Sequence, residues 1–581
     1  MTRKKIYVAG EGMITALGRG VENNVSAIRS GKSGVCRHSG LLKDESGNDV
    51  PVMCGLVPEE VVSRLREEYS GVSVTLTRLE LLAAGALADA LADADSRRES
   101  GGNGVSACRR ALVFASTKGN IGILGSCPSG SLPEDVYLDV TARKIGMLYG
   151  CSPEDVYTVS NACISGVSAM VVAKRFIEYG RYDEVAVVGA DELSEFIVSG
   201  FASFRSLSSE LCRPYDAARC GLNLGEAAGA VILSSCSDGN SAVLSGGSIS
   251  DDANHISGPS RTGDALYFAI RDAMADAGIV TGDVSFVSLH GTATAYNDEM
   301  ESKAVALAGL SGMYVQSLKP YIGHTLGASG VVETILCIQQ LKSGEVWGTP
   351  GFKEPGVPEH LDVSAGTRQA EMRHCVKTAS GFGGCNAAIV ISMPGYAADL
   401  PSRDRCRTEV LRRTEVDRKT LSPGSDADDF HTLVRERYRS LGINDMKFYK
   451  MDDMSKLGYI ASHILLEGLQ FSPEDMAVIL QNRSSSLDSD LKHLYNITSG
   501  PGAGPAVFVY TLPNVASGEI SIRHRIKGEN TFFISSAYRR SDLEDYAAMV
   551  LTSSNARYCI VGWLEYMGGE YEASFELLEK K

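Results

Sequence analysis

The alternation of short β-rich runs with amphipathic helical stretches is the feature that most constrains how this chain folds. Helices are predicted near Leu76–Ala92 and Ser165–Tyr179. The strands predicted around them are Ile6–Ala9, Ala111–Ala115, Val156–Val159 and Glu184–Gly189. Strands that alternate with helices predict an α/β domain built on a buried sheet.

The same pattern restarts after Ile232. Helices are predicted near Asp264–Ala277 and Ala328–Lys342, and strands at Val284–Leu289 and Ala387–Ser392. A chain of 581 residues is too long for one ordinary core. The sequence therefore predicts two α/β halves, residues 1–240 and residues 241–396.

A third region follows a polar segment. Residues 397–429 interleave arginines with acidic residues, which predicts a solvated linker. Residues 430–581 return to an α/β pattern, which predicts a smaller C-terminal α/β domain. Its predicted strands are Ala477–Leu480, Ala506–Tyr510, Thr531–Ser535 and Tyr558–Gly562.

Composition excludes several classes of function. A net charge of −15 and a pI near 5.3 argue against nucleic acid or an anionic membrane as partner. No apolar span approaches membrane length, so we expect a cytoplasmic protein. The fourteen cysteines lack paired C-x-x-C spacing, which favours reduced thiols over a disulfide scaffold or a metal site. Gly10-x-Gly12 lacks the third glycine of a dinucleotide site, and we expect no bound cofactor.

Cys163 is a candidate nucleophile because it lies between a predicted strand and a predicted helix. The positive end of that helix favours thiolate and predicts a pKa below the usual value of about 8.5. The small neighbours Ala162, Ser165 and Gly166 leave room for a bulky thioester. Position alone does not separate a catalytic cysteine from a structural one.

Two histidines lie in loops at strand ends, where sites tend to form in α/β folds. His290 closes the strand Val284–Leu289 and opens the loop His290–Thr294. His324 lies between Gly323 and Gly327, just before a predicted helix that carries Glu333. Glycines let such a loop turn sharply and hold an imidazole close to a ligand.

These motifs, in this order, resemble those of the β-ketoacyl-acyl carrier protein synthases of the Cys-His-His type. The segments that carry the resemblance are Thr158–Gly166, His290–Thr294 with Asn297-Asp298, Lys319–Gly330 and Gly381–Asn386, supported by Gly10–Gly18, Arg213–Asp216, Gly221–Gly229 and His255. The resemblance covers residues 1 to about 396. It implies a layered αβαβα thiolase-like fold of two similar halves, with the active site between them.

The resemblance also implies roles for individual residues. Cys163 would accept an acyl group from acyl carrier protein, and His290 and His324 would stabilise the enolate left when malonyl-carrier protein loses CO₂. The backbone N–H groups of Cys163 and Phe382 would form the oxyanion hole. Phe382 would also gate the acyl chain. Lys319 and Glu333 would pair to order the His324 loop, and Thr292 and Thr294 would contact the phosphopantetheine arm, which arrives on the carrier rather than as a bound cofactor.

Two positions depart from the family pattern. Ser380 stands where another aromatic residue is common, and Cys385 stands where threonine is common, which leaves chain length open. Cys385 raises a thiolase-type reaction as an alternative, with a second cysteine as base. The other alternative is a non-catalytic partner subunit that sets chain length, although such subunits usually lack the cysteine that this chain keeps. A homodimer, or a heterodimer with a related subunit, is expected.

The C-terminal domain carries a faint echo of the first half. Laying Ser517-Gly518 on Ser165-Gly166 places Val515 where Cys163 stands, and Ala506–Gly518 holds no cysteine. We therefore expect an incomplete, catalytically silent thiolase-like half that serves in packing or partner binding. An unrelated small α/β domain is the alternative.

Overall fold

Three sheet-based units succeed one another along the chain. The computed structural model describes residues 2–44, 46–101, 108–126, 132–237, 239–421 and 429–581. The strands of the first unit are β1 (Tyr7–Thr15), β2 (Gly18–Arg19), β3 (Val35–His38), β4 (Val52–Gly55), β5 (Arg110–Ala115), β6 (Val156–Val159), β7 (Glu184–Asp191), β8 (Leu224–Gly225) and β9 (Ala227–Ser234). Its helices are α1 (Val21–Arg29), α2 (Glu59–Glu68), α3 (Arg78–Gly101), α4 (Leu138–Tyr149), α5 (Ser165–Glu178) and α6 (Glu195–Ser203).

The second unit begins at β10 (Val243–Asp251). Its strands are β10 (Val243–Asp251), β11 (Val284–Ser288), β12 (Tyr314–Gln316), β13 (Glu345–Val346), β14 (Asp362–Val363), β15 (Arg368–Gln369), β16 (His374–Ser380) and β17 (Cys385–Ser392). Its helices are α7 (Asp264–Ala277), α8 (Ala295–Leu307), α9 (Lys319–Ile322) and α10 (Ser329–Ser343).

The third unit is the C-terminal domain. Its strands are β18 (Thr408–Val416), β19 (Met476–Asn482), β20 (Asn530–Ile534), β21 (Tyr558–Met567) and β22 (Glu570–Lys580). Its helices are α11 (Arg418–Leu421), α12 (Phe430–Ser440), α13 (Asp453–Leu465), α14 (Leu487–Thr498), α15 (Pro505–Phe508), α16 (Asn514–His524) and α17 (Arg540–Ser553).

One five-stranded pattern occurs in all three units. The first sheet runs β6–β5–β7–β9–β1, with β5 parallel to both its neighbours and with β9 and β1 each antiparallel to the strand before. The second sheet repeats this as β12–β11–β16–β17–β10. The third repeats it as β20–β19–β21–β22–β18. The chain thus contains one topology three times.

The first two units form the predicted layers. Helix α3 covers the outer face of the first sheet, and α7 covers the outer face of the second. Helices α5 and α10 lie between the sheets and contact both, and almost every residue of each is buried. The predicted αβαβα order and the predicted strands and helices of both halves are confirmed. Within the described ranges, no helix is both long and apolar enough to cross a bilayer.

The predicted linker, residues 397–429, is wrong for part of its length. Residues 408–416 form β18, which pairs along its length with β22, while residues 422–428 lie outside the described ranges. Its charged side chains mostly face solvent, and Val416 is buried. A half-exposed edge strand can carry that many charges, which is why composition suggested a linker.

The predicted strand Ala506–Tyr510 is also wrong, because α15 and a 3₁₀ turn at Val509–Thr511 occupy it. Pro505 begins this helix at its first turn, a position that proline favours. A short apolar run does not by itself distinguish a strand from a buried helical turn.

The C-terminal echo of the first half has a different register from the predicted one. By strand order, β19, β20 and β21 correspond to β5, β6 and β7. Val478 of β19 pairs with Asn530, as Leu112 of β5 pairs with Val156, so Asn530 corresponds to Val156. Helix α17 then matches α5, and each has 14 residues. Ala537 therefore takes the place of Cys163, whereas Val515 lies in α16. The repeat carries no nucleophile at that position.

The third unit joins the first through a sheet edge. Strand β20 pairs antiparallel with β6, so the two sheets continue into each other. Arg175 of α5 pairs with Glu529 at 2.8 Å and donates to the Tyr546 hydroxyl at 2.7 Å. Because β6 leads directly to Cys163, the C-terminal domain holds the strand that positions the candidate nucleophile.

A buried ion pair fastens the same interface. The Lys118 ammonium donates to Asp490 of α14 at 2.6 and 2.7 Å and to the Thr511 carbonyl at 2.6 Å. Both side chains are almost fully buried. Burial lowers the pKa of Lys118, and the Asp490 charge opposes that shift.

Replacing Asp490→Ala leaves the Lys118 charge buried without its partner. We expect the free energy of unfolding to fall by about 3–5 kcal/mol, measured by urea denaturation. The matched control is Asp488→Ala on the same helix, whose partner Lys492 is half exposed, so its cost should be about 1 kcal/mol or less. Equal losses in the two variants would contradict a special role for the buried pair.

Candidate active site

Cys163 lies in a 3₁₀ turn between β6 and α5. The turn spans Ala162–Ile164, and Ala162 takes a left-handed conformation with φ of 48°. Non-glycine residues adopt this conformation rarely, and such residues cluster at functional sites. Burial raises the pKa of the Cys163 thiol to about 12, despite the opposing charge of Lys319. Burial thus shifts the pKa of Cys163 in the direction opposite to the one predicted from the helix terminus.

His324 is brought to Cys163 by the close approach of two helix starts. A Cβ at Gly330 would lie 2.3 Å from the Val167 nitrogen, and one at Gly166 would lie 2.7 Å from the Gly327 carbonyl oxygen. Only glycine fits at these two positions. As a result His324 Nε2 lies 3.2 Å from Cys163 Sγ, and its Nδ1 lies 3.2 Å from the Ser329 hydroxyl.

His290 is positioned by a buried carboxylate on α8. The N–H groups of His290 and Gly291 donate to the two oxygens of Glu301 at 2.7 and 2.8 Å. The Tyr215 hydroxyl and the Asn297 amide also donate to Glu301. The loop at the end of β11 is thereby fixed through its backbone, which leaves the imidazole of His290 directed into the site.

The two imidazoles meet edge to face, with ring centroids 4.9 Å apart. Burial, followed by the charge of Lys319, lowers the pKa of both His290 and His324 well below the usual 6.5. Both rings are therefore neutral near pH 7, and each can donate one N–H. Two neutral donors beside a thiol suit the stabilisation of a developing oxyanion.

Cysteine and histidine are also zinc ligands, so the same three residues require a test for a metal. Their ligand atoms lie within 4.8 Å of one another. Zinc bonds of about 2.0–2.3 Å would draw ligand atoms to within roughly 4 Å of one another. The observed spacing and the Cys163–His324 contact fit a pair that shares a proton better than a metal centre.

Lys319 and Glu333 form the predicted pair, and the structure adds a second lysine. Lys319 Nζ lies 2.8 Å from Glu333, and Lys377 Nζ lies 2.6 Å from its other oxygen. All three side chains are about 1% exposed. The two lysines hold the pKa of Glu333 below its usual value against the effect of burial. This network gives the site a fixed positive charge that keeps the imidazoles neutral.

The Phe382 loop lies against the Cys163 turn. A Cβ at Gly381 would lie 3.2 Å from the Cys163 nitrogen, so the backbones that carry the two expected oxyanion donors are adjacent. Asn514 of the C-terminal domain donates to the Phe382 carbonyl at 2.8 Å. The thiol of Cys385 lies 3.3 Å from that same carbonyl, and burial raises its pKa well above 9. Cys385 therefore packs beneath the loop, and burial favours its protonated form, which does not act as a base.

A cavity of about 480 Å³ connects these groups to the surface. Cys163, His290 and His324 form its inner end. Thr292 and Thr294 line it and share a hydrogen bond of 2.8 Å. The ring of Tyr296, 77% exposed, stands at its outer end. Its volume lies within the range of about 300–1,000 Å³ that is usual for ligand pockets.

Sequence reasoning missed four residues that fix the site: Glu301, Ser329, Lys377 and Asp191. Asp191 accepts hydrogen bonds from the N–H groups of Thr117, Lys118 and Gly327, which ties the ends of β5 and β7 to the His324 loop. An acidic residue at the end of a predicted strand was a usable signal for Asp191. Glu301 offered a weaker signal, because acidic residues are common on helices.

Substituting Glu301→Gln should weaken the anchor of the His290 loop. The donors that contact Glu301 now share two carboxylate oxygens, whereas the glutamine amide offers them one oxygen. We therefore expect the free energy of unfolding to fall by about 1–3 kcal/mol. Urea denaturation measures this loss. The control is Glu299→Gln, two residues earlier and 41% exposed in its side chain, where the change should stay within about 0.5 kcal/mol. Equal values for the two variants would refute the anchoring role.

Known proteins resemble about two thirds of this chain. A putative mitochondrial 3-oxoacyl-[acyl-carrier-protein] synthase of Schizosaccharomyces pombe is 27% identical over 66% of this chain and 98% of its own length. The 3-oxoacyl-[acyl-carrier-protein] synthase 2 of Vibrio harveyi is 26% identical over 67% of this chain and 99% of its own length. Each of these matches leaves about a third of this chain uncovered.

Solved structures extend the comparison. The ketosynthase ApeO in complex with its chain length factor ApeC, from Xenorhabdus doucetiae, is 25% identical and aligns over 67% of this chain and 98% of that chain with a TM-score of 0.57. The PfaC keto synthase–chain length factor aligns over 99% of this chain and 78% of that chain, with a TM-score of 0.73 and 13% identity. The second match shows likeness of fold alone, and it includes the C-terminal domain.

The family assignment rests on two adjoining segments. Residues 3–239 match the beta-ketoacyl synthase N-terminal domain, and residues 241–353 match the beta-ketoacyl synthase C-terminal domain. Together the two matches span more than half of the chain, and they contain Cys163, His290 and His324. The chain belongs to the beta-ketoacyl synthase family.

Proposed function

We propose that this protein is a 3-oxoacyl-[acyl-carrier-protein] synthase that joins an acyl group on Cys163 to the two-carbon unit left by decarboxylation of malonyl-acyl carrier protein. The observation that supports it most is the Cys163–His324 contact of 3.2 Å beside a second neutral imidazole at the end of an open cavity. The pathway it serves, whether fatty acid, polyketide or polyene, depends on the acyl group.

Acylation begins from a neutral thiol. His324 accepts the Cys163 proton as Sγ attacks the thioester carbonyl. The departing carrier thiolate takes that proton from the His324 imidazolium, which leaves a neutral ring with one N–H. The N–H groups of Cys163 and Phe382 receive the oxyanion, and one such donor is typically worth about 3–4 kcal/mol of barrier. The result is an acyl-enzyme and a free carrier, the pattern of covalent catalysis.

Decarboxylation follows when malonyl-carrier protein enters the cavity. The C–C bond to the carboxylate breaks, CO₂ leaves, and the electron pair moves onto the thioester as an enolate. N–H donors of His290 and His324 stabilise the enolate oxygen. Its carbon then attacks the acyl carbonyl on Cys163, and the bond between that carbonyl carbon and Sγ breaks. The 3-oxoacyl product leaves on the carrier, and the Cys163 thiolate takes up a proton from solvent to regenerate the thiol. Thr292 and Thr294 would contact the pantetheine arm, so no resident cofactor is needed.

The C-terminal domain has the features of a silent repeat with a structural role. It covers the β6 edge and carries Ala537 where Cys163 stands in the first unit. We assign it the place of a related subunit, fused to the catalytic unit in one cytoplasmic chain. The non-catalytic alternative fits this domain, whereas the first two units retain the complete catalytic set.

Cys163→Ala removes the proposed acyl acceptor. After incubation with acetyl-acyl carrier protein, we expect no acetyl adduct by intact-protein mass spectrometry and no condensation product. Cys220→Ala is the matched control, because Cys220 also lines the cavity and is exposed. An adduct that persists in Cys163→Ala and disappears in Cys220→Ala would reassign the nucleophile.

His290→Ala separates decarboxylation from acylation, because His290 lies beside the enolate position while His324 contacts the thiol. We expect CO₂ release from malonyl-acyl carrier protein to fall by roughly 10²–10³-fold, with acetylation of Cys163 largely retained. Release is measured with labelled malonyl carrier. His360→Ala, a change at an exposed histidine that does not line the cavity, is the control and should match the parent. Unchanged CO₂ release in His290→Ala would remove His290 from the mechanism.

A further inference from the structure

Two cavities of very different size meet at Cys163. The large one, about 480 Å³, holds both histidines and opens to the surface past Tyr296. The small one, about 10 Å³, lies beyond Cys163, Phe201 and Phe382, which line both. A volume near 10–15 Å³ holds about one water molecule, so the small cavity has room for little more than a methyl group.

The acyl group on Cys163 has to use the small cavity. During condensation the acyl-enzyme and the malonyl unit are present together, and the enolate must reach the imidazoles in the large cavity. The pantetheine arm also enters through that cavity. The apolar tail of the acyl group is left with the space beyond Cys163, whose walls include Ile197 and Leu326.

The C-terminal domain fills that space with an aromatic side chain. Phe508 packs against Phe201 at 5.5 Å between centroids and against His493 at 5.1 Å. A Cβ at Gly200 would lie 2.2 Å from the Phe508 ring, so the ring occupies the surface that a glycine of α6 leaves open. Leu512 completes this wall.

The floor of the small cavity is polar and rigid. Lys118 lines it, and its ammonium is held by Asp490 and by the Thr511 carbonyl. A longer acyl chain would have to displace a buried ion pair as well as an aromatic ring. Separating buried charges in an apolar environment is costly. The Lys118–Asp490 pair therefore keeps this end of the small cavity closed to a longer acyl chain.

We infer that the C-terminal domain determines the substrate class of the active site, and that Phe508, Leu512 and the Lys118–Asp490 pair restrict the acyl group on Cys163 to acetyl size. This inference rests on the proposed function. An acetyl donor must supply the site, and its four-carbon 3-oxoacyl product is too long to return to Cys163. The protein then performs a first condensation, and another condensing activity extends the chain.

The test measures the rate of acylation of the full-length protein. Acetyl, butanoyl, hexanoyl and octanoyl thioesters of N-acetylcysteamine serve as probes, and intact-protein mass spectrometry follows the adduct on Cys163. We expect acetyl to react at least roughly tenfold faster than hexanoyl, since each misfitted methylene costs about tenfold or more. Reaction with octanoyl as fast as with acetyl would overturn the inference.

Phe508→Ala should open the small cavity. We expect the ratio of hexanoyl to acetyl labelling to rise roughly tenfold relative to the parent. Leu512→Ala provides an independent opening of the same wall, and Tyr495→Ala, a change at a ring 62% exposed on α14, is the control. Failure of both opening variants to gain hexanoyl labelling would also overturn the inference. Absence of labelling by every thioester would instead refute the proposed function.

Discussion

The site depends on the close approach of α5 and α10 at their first residues. Gly166 and Gly330 have no side chains, so the backbones of the two helix starts lie too close together to leave room for a Cβ at either position. Each helix is preceded by a loop with one candidate catalytic residue, Cys163 before α5 and His324 before α10. The 3.2 Å contact between those groups follows from helix packing, with both helices fixed between two sheets. Even alanine at either glycine would push the thiol and the imidazole apart.

Burial and the Lys319–Glu333–Lys377 network determine the charge state of the groups at this contact. The Glu333 carboxylate between Lys319 and Lys377 has two positive neighbours for one negative charge, which leaves a net positive field. That field favours neutral imidazoles and moderates the cost of forming a thiolate at Cys163. All of these groups are buried, and electrostatic interactions are stronger where the dielectric is low. The site is thus prepared for anionic intermediates while its resting thiol stays neutral.

The sequence predicted the two halves and their strands, because strand and helix patterns are local signals. It also singled out Cys163, His290 and His324 through the order of their motifs, and the structure brings these three residues together at one cavity. It did not predict the anchors of these groups. Glu301 and Lys377 act from distant segments, and nothing in their local sequence marks the contact. The raised pKa of Cys163 depends on burial, which is a property of the whole packing. Ala506–Tyr510 was misread as a strand since an apolar run fits both structures, and that error also shifted the register of the C-terminal repeat onto Val515.

The pairing of β20 with β6 has a consequence for how the catalytic unit is maintained. A strand edge completed by a separate subunit is completed only while that subunit is bound, so its order depends on protein concentration. Here both strands belong to one chain, and joining two binding surfaces covalently gives a local concentration that dilution does not change. The support of the strand leading to Cys163 is therefore independent of protein concentration. Each catalytic unit is also covalently attached to one silent repeat.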